Sequence, residues 1–272
     1  MYKILALDMD GTLLNSQKKI SPKTAAAISE LSSRGVIVAL STGRGVAELQ
    51  DYKDELKFMH YGVTSSGGAV YDFFNKKPVK VHPISTDIAL ELIDAGISER
   101  AMIHILGLTD SVMSEDDIKN VADFQMAVYG EMYNRICTRC NDFKKYILEN
   151  PNEIVKINLY HRSAESRQRN FERLKHLDLT FAFAETTALE SSPKGITKAS
   201  GLIELCEFLK IDISESVAVG DAPNDIEVLK TAGIAAVMGN ASPEIKKLAD
   251  FVTDDNDNDG IVKVIEKYFL NQ

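Results

Sequence analysis

Short apolar runs that end in polar residues set the frame for this chain. KILALD at residues 3–8 comes first, and its length suits a buried strand rather than a helix. Ser21-Pro22 then opens a helix, with Ser as N-cap and Pro at the first helical position. Ala25, Ile28 and Leu31 follow at helical spacing, and Gly35 lies past the end. VIVAL at 36–40 is a second buried strand, a helical stretch is expected over 46–56, and GVTSS at 62–66 is a third strand. This β-α-β-α-β order implies a parallel sheet with right-handed crossovers. The pattern returns at the other end of the chain: helix 195–209, strand Val217–Gly220, helix Asn224–Thr231, strand IAAVM, helix SPEIKKLA and strand FVT. The expected fold class is α/β, with a doubly wound parallel, Rossmann-like core.

The middle of the chain reads differently. MIHIL, a helix over 116–127, IVKINLY, a helix over 165–176 and TFAFA mix strands and helices within residues 83–187. That span is long enough for a domain of its own. The expected organisation is a discontinuous core, 1–82 and 188–272, interrupted by an inserted α+β domain at 83–187.

Charge and composition exclude several classes. A net charge of -9 argues against a nucleic-acid or anionic-membrane surface, which would need a basic patch. No apolar run approaches the roughly 18 residues of a membrane span, and the N-terminus lacks signal-peptide features, so a cytoplasmic protein is expected. A small phosphate stays compatible, because a few donors and a metal ion reverse the field inside one cleft. Cys137 and Cys140 form C-T-R-C with no second such pair, so reduced thiols are expected; Cys206 lies in an apolar run and reads as core. The five histidines show no metal-ligand spacing.

In a doubly wound sheet, ligands bind beyond the carboxyl ends of the strands. Those ends carry Asp8 and Asp10, then Ser41-Thr42-Gly43-Arg44, then Asp221 with Asn224 and Asp225; Lys194 precedes a helix that starts near the same edge. Asp8 and Asp10 are two apart and can face one side, where two carboxylates repel unless a cation or a shared proton intervenes. With Asp221 they form a set of hard oxygens suited to Mg²⁺ completed by water and a substrate phosphate. One carboxylate can attack phosphorus while the other manages the proton on the leaving oxygen.

DMDGTLL at 8–14 resembles the first motif, DxDGT(L/V), of the haloacid-dehalogenase-like superfamily. STGR at 41–44 resembles its second motif, Lys194-Gly195 its third, and GDAPND at 220–225 its fourth, in the expected order. AGIAAVMGNA and FVTDDNDNDGI resemble the Cof-type phosphatases, a subgroup with a large α/β cap inserted after the third strand. The resemblance implies roles. Asp8 would be the nucleophile, carrying an aspartyl-phosphate, and a metal ligand. Asp10 would be the general acid and then base, with its main-chain carbonyl on Mg²⁺. Thr42, Gly43 and the Met9 backbone would hold phosphoryl oxygens, Lys194 would offset charge, Asn224 would contact phosphate, Asp221 would bind the metal, and Asp225 would support the metal shell. Ser66 departs from the Asn usual before Gly in the Cof pattern, near the leaving-group side.

The resemblance thus implies a Mg²⁺-dependent phosphatase of a small phosphorylated metabolite, such as a sugar phosphate or a cofactor phosphate. A hexose phosphomutase shares the same core residues. Glu131, Asn134 and Arg135 are candidate selectivity residues in the inserted domain. From a different class comes a non-catalytic phospho-accepting or calcium-binding regulator, because DNDNDGIVKVIE at 255–266 satisfies the calcium-loop pattern D-x-[DN]-x-[DN]-G-x5-E. A calcium loop needs a helix leading into it, whereas ADFVTDD reads as a strand, and no second loop exists. The expectation there is a solvated turn with Asp259 near a helix start.

Overall fold

The computed structural model describes residues 2–184 and 186–270. The chain divides into two compact units, the first within Met1–Gly43, Tyr52–Lys80 and Thr197–Gln272, the second within Arg44–Asp51 and Val81–Ile196. Strands β1 (Ile4–Leu7), β2 (Ile37–Ser41), β3 (Tyr61–Thr64), β4 (Ala69–Asp72) and β5 (Lys77–Val81) come first. Then follow β6 (Met102–Gly107), β7 (Ser111–Met113), β8 (Thr138–Arg139), β9 (Ile154–Tyr160), β10 (Leu179–Ala182) and β11 (Ala188–Pro193), and finally β12 (Ser216–Gly220), β13 (Ile234–Val237) and β14 (Phe251–Val252).

The first unit is an α/β domain on a sheet of order β14-β13-β12-β1-β2-β3-β4-β5. The chain leaves β1 in one direction to β2 and β3 and returns on the other side at β12, all in parallel pairs. β1 is therefore the switch point of a doubly wound sheet, where a ligand crevice opens beyond the carboxyl ends of β1 and β12. Ile4 and Ala6 pack with the helices Lys198–Leu209 and Ile226–Thr231. Leu5 and Leu7 point the other way and are equally buried, which is why β1 reads as a continuous apolar run. The helix Pro22–Ser33 starts as its sequence implies, with the Ser21 hydroxyl accepting from the Thr24 N–H at 3.0 Å. β4 turns back antiparallel to β3. β5, KPVKV, is exposed and has no apolar run to announce it; its proline suits a sheet end.

The second unit is built on a sheet of order β10-β11-β9-β6-β7-β8. One face, including Ile103, Ile105, Ile157, Leu159 and Leu189, packs with residues of the helices Thr86–Ser98, Phe143–Glu149 and Ala164–Leu174. The alternate residues of β9 are Lys156, Asn158 and Tyr160, also buried, and Lys156 pairs with Glu190 at 2.6 Å. Cys137, Cys140 and Cys206 are free thiols.

Three expectations about elements change. Residues 46–56 form no α-helix; they form the 3-10 segments Val46–Tyr52 and Leu56–Phe58. The chain passes between units there, and Glu48 folds inward so that its carboxylate accepts the Gly45 N–H at 2.7 Å. The helix expected over 116–127 ends at Lys119; a 3-10 turn, Val121–Phe124, follows and stops at Gln125, which is left-handed at φ 62°. The helix expected from 195 begins at Lys198, because Thr197 is its N-cap in a reciprocal capping box with Ser200, and Gly195 stands outside it at φ +73°. Upstream of that cap, β11 pairs with β9 and β10, so residues 188–193 lie in the second unit's sheet and not in the core.

The acidic loop at 255–259 is a clasp. Asp255 accepts the N–H groups of Asp257 and Asn258 at 3.0 and 2.9 Å. Asp257 accepts the Ser16 N–H at 2.8 Å, Asn256 donates to the Leu14 carbonyl at 2.8 Å, and Asp259 takes the hydroxyls of Ser21 and Thr24. The carboxylates point at separate donors, and the would-be twelfth ligand, Glu266, is exposed. The loop is the expected turn, with Asp257 and Asn258 exposed and Asp259 at the cap of the helix Gly260–Ile265, but it is fastened to residues 14–24 rather than free in solvent.

After β3 three consecutive residues adopt left-handed φ: Ser65 (51°), Ser66 (58°) and Gly67 (101°). A Cβ at Gly67 would overlap the Thr197 carbonyl, at the cap of the Lys198 helix. Gly67→Ala is therefore expected to lower stability by about 1–3 kcal/mol. This would be read as a lower urea midpoint at unchanged slope; an unchanged midpoint contradicts the packing described.

Candidate active site

The site begins where β1 ends. The Asp8 N–H is held by the Val219 carbonyl at 3.0 Å, and the loop after it closes through Leu13 N–H to the Asp8 carbonyl (3.2 Å) and Leu14 N–H to the Met9 carbonyl (2.9 Å). Gly11 has φ +83°, and a Cβ there would strike the Asp221 carboxylate. Only glycine lets this loop pass so near the end of β12. Thr12 donates its hydroxyl to Asp221 at 2.8 Å, and Asn240 spans the Gly11 carbonyl (2.8 Å) and Asp221 (3.3 Å).

At the centre is a buried ion triad. Lys198 Nζ lies 2.6 Å from Asp8 Oδ1 and 2.7 Å from Asp225 Oδ1, with 1% of the lysine side chain exposed. The other Asp225 oxygen accepts the N–H groups of Asp221 and Ala222, at 3.0 and 3.1 Å. Asp225 is thus engaged in support, and Gly220 is needed because a Cβ there would collide with its carboxylate.

Lys194 does not hold this place. It is 71% exposed and pairs with Asp178 at 2.9 Å within the second unit. Lys198, four residues on, takes that place for a local reason: the T-x-x-S cap that starts the helix puts Lys198 in its first turn. Thr12 and Asn240 also escaped the sequence reading, because nothing in their spacing marks them as neighbours of Asp221. Thr42 and Gly43 follow β2, the strand beside β1; Thr42 is buried, with its N–H on the Val63 carbonyl at 2.8 Å. Met9 is buried and Asn224 is exposed. Asp10 pairs with Lys18 at 2.8 Å. In the second unit, Arg135 pairs with Asp51, Asn134 accepts from Arg139 at 2.6 Å, and Glu131 is exposed.

The electrostatics fit a cation. Carboxylate oxygens of Asp8, Asp221 and Asp225 come within 4.8 Å of one another. Three carboxylates against one ammonium leave a local charge of about -2, which suits a hard divalent ion. Burial raises the Asp8 pKa, with the Lys198 charge opposing and Asp225 adding to the rise. Burial also pushes Asp221 up to about 6, with the Thr12 hydrogen bond opposing. Burial alone would lower Lys198, but the Asp225 and Asp8 charges reverse that and raise it. Asp8, Asp221 and Asp225 could each offer an oxygen to a metal ion.

A sequence model of the haloacid dehalogenase-like hydrolases matches residues 5–265. The chain belongs to that family. It is 29% identical over 270 residues to the 5-amino-6-(5-phospho-D-ribitylamino)uracil phosphatase YcsE of Bacillus subtilis, covering 98% of this chain and 96% of the relative. It is 30% identical over 254 residues to the HMP-PP phosphatase of Serratia proteamaculans, covering 91% and 88%. A haloacid dehalogenase-like hydrolase from Bacteroides thetaiotaomicron superposes with a TM-score of 0.85 at 26% identity, over 99% of this chain and 100% of that one. The chain is an enzyme, a phosphoric monoester hydrolase of this family. Among the described residues no helix is long and apolar enough to cross a membrane.

Two measurements test this geometry. Lys198→Met, which leaves two buried carboxylates unpaired, is expected to cost about 3–5 kcal/mol. Lys194→Met should stay within about 0.5 kcal/mol of the parent in urea unfolding; equal effects would contradict the assignment. The raised pKa values of Asp8 and Asp221 set the sign of the second. Asp8, pushed up to about 8 by burial, and Asp221 must both lose their protons to a cation, so Mg²⁺ affinity measured by calorimetry is full above about pH 8 and falls as pH drops through that value and then through about 6. In the metal-free fold Asp221 holds its proton more tightly than in the unfolded chain, so the contribution of this one group to stability falls as pH rises from the ordinary 3.8 through about 6.

Proposed function

We propose that the chain is a cytoplasmic, Mg²⁺-dependent phosphatase of a small phosphorylated metabolite, a sugar phosphate or a cofactor phosphate, acting through an aspartyl-phosphate on Asp8. The observation that carries this reading is the Asp8–Lys198–Asp225 triad, which fixes one Asp8 oxygen and leaves Oδ2 unengaged by Lys198 at the end of β1. The names of the two relatives, both phosphatases, support a small phosphorylated substrate.

Asp8 Oδ2 attacks phosphorus, the bond from phosphorus to the leaving oxygen breaks, and Asp10 donates its proton to that oxygen, releasing the alcohol. Asp10 then takes a proton from water, the water oxygen attacks phosphorus, and the bond to Asp8 breaks to release inorganic phosphate. Lys198 offsets charge on Asp8 throughout. Thr42, Gly43 N–H and the Met9 backbone hold phosphoryl oxygens, and Asn224 contacts phosphate from the rim. Mg²⁺, held by Asp8, Asp221 and the Asp10 carbonyl, would supply charge neutralisation of the phosphoryl oxygens; Asp225 supports this shell by orienting the Asp221 backbone. The first unit serves as the catalytic core. The second serves as the cap that reads the non-phosphate part and excludes water.

A panel of phosphorylated metabolites with Mg²⁺ tests the reading. Wild type is expected to release phosphate from at least one member, Asp8→Asn to fall to background, and Asp10→Asn to lose about 10²–10⁴-fold on alkyl esters. Equal inactivity of wild type and Asp8→Asn across the panel contradicts it.

A further inference from the structure

Asp10 is held by a residue that nothing in the phosphatase reading requires. Lys18 Nζ lies 2.8 Å from Asp10 Oδ1, with 40% of the lysine and 33% of the aspartate side chain exposed. Eight residues separate them, so the chain must double back to bring them together. It does so in a tight turn: Asn15 N–H donates to the Lys19 carbonyl and Lys18 N–H to the Asn15 carbonyl, both at 2.9 Å. The Asn15 side chain accepts the N–H groups of Gln17 (3.0 Å) and Lys19 (2.9 Å).

The turn places Lys18 at φ 58°, a left-handed conformation that strains a lysine and that a glycine adopts freely. It is held there from outside as well. Tyr52 donates its hydroxyl to the Lys18 carbonyl at 3.2 Å, and the 255–259 clasp takes Ser16 N–H and the Leu14 carbonyl. A half-exposed ion pair adds little to stability, so stability alone does not account for a strained lysine braced on both sides. The consequence lies in geometry. Fixing one carboxylate oxygen fixes the rotamer and plane of Asp10, and proton transfer requires its donor within hydrogen-bond reach of the leaving oxygen.

We propose that Lys18 is a positioning residue for Asp10, acting on the proton-transfer part of the reaction. The proposal rests on the phosphatase reading, and the test separates the two. kcat/KM reports the steps through formation of the aspartyl-phosphate. It is measured on 4-nitrophenyl phosphate, whose leaving group departs unprotonated, and on an alkyl phosphate, whose leaving oxygen needs the proton.

Lys18→Met is expected to lose at least about 10-fold on the alkyl ester and less than about 3-fold on the aryl ester. Lys18→Arg, which keeps a cation, should recover the alkyl ester to within about 3-fold of wild type. Lys18→Gly suits the backbone, so it should keep the wild-type Tm or exceed it while showing the same split between esters. Equal losses on both esters, or none, with an active wild type overturn the role of Lys18 alone. A wild type that turns over neither ester overturns the phosphatase reading and this proposal together.

Discussion

One ammonium organises the catalytic unit. Lys198 lies buried between Asp8, at the end of β1, and Asp225, past the end of β12, so a single residue ties the two strands that meet at the switch point. Removing an ion from water is expensive, and a buried pair is tolerable only when its remaining hydrogen bonds are met. Asp225 meets them with two backbone N–H groups. Asp8 keeps an oxygen outside the lysine's grasp, which gives a carboxylate both restraint and a reactive edge. The negative charge that remains, shared with Asp221, suits a divalent cation.

The surrounding loops follow from that centre. Gly11 and Gly220 are small because carboxylates of Asp221 and Asp225 occupy the space a side chain would need. The Lys198 helix needs its first turn at the site, so Thr197 caps it and the strained Ser65-Ser66-Gly67 turn fits against the cap. The loop after Asp10 is fastened from behind by residues 255–259. Those acidic residues satisfy a calcium-loop pattern letter by letter, yet each carboxylate is turned to a different protein donor.

The doubly wound core was legible in the sequence because its central strands are apolar on both faces and bounded by polar ends, as in Ile4–Leu7 and Ser216–Gly220. The carboxylates were legible because residues at strand ends share one rim. The lysine was not, since its place depends on which residue opens a helix: Lys194 precedes a left-handed glycine, while Lys198 follows a capping threonine. β5 and β11 were missed because KPVKV and ALESSP lack apolar continuity, and their pairing comes from neighbouring strands. Thr12 and Asn240 act through space on Asp221, a relation that spacing along the chain does not carry.

The central claim is that Lys198 and Asp225 set up Asp8, and no other carboxylate, to accept phosphate. It is tested most directly by acid-quenching the enzyme during turnover of a phosphate ester it accepts, reducing the acyl-phosphate with borohydride and mapping the modified peptide by mass spectrometry. Conversion of Asp8 to homoserine, absent in Lys198→Met, is the predicted result. Labelling of Asp10 or Asp221 instead, or turnover that leaves Asp8 unmodified, would contradict it.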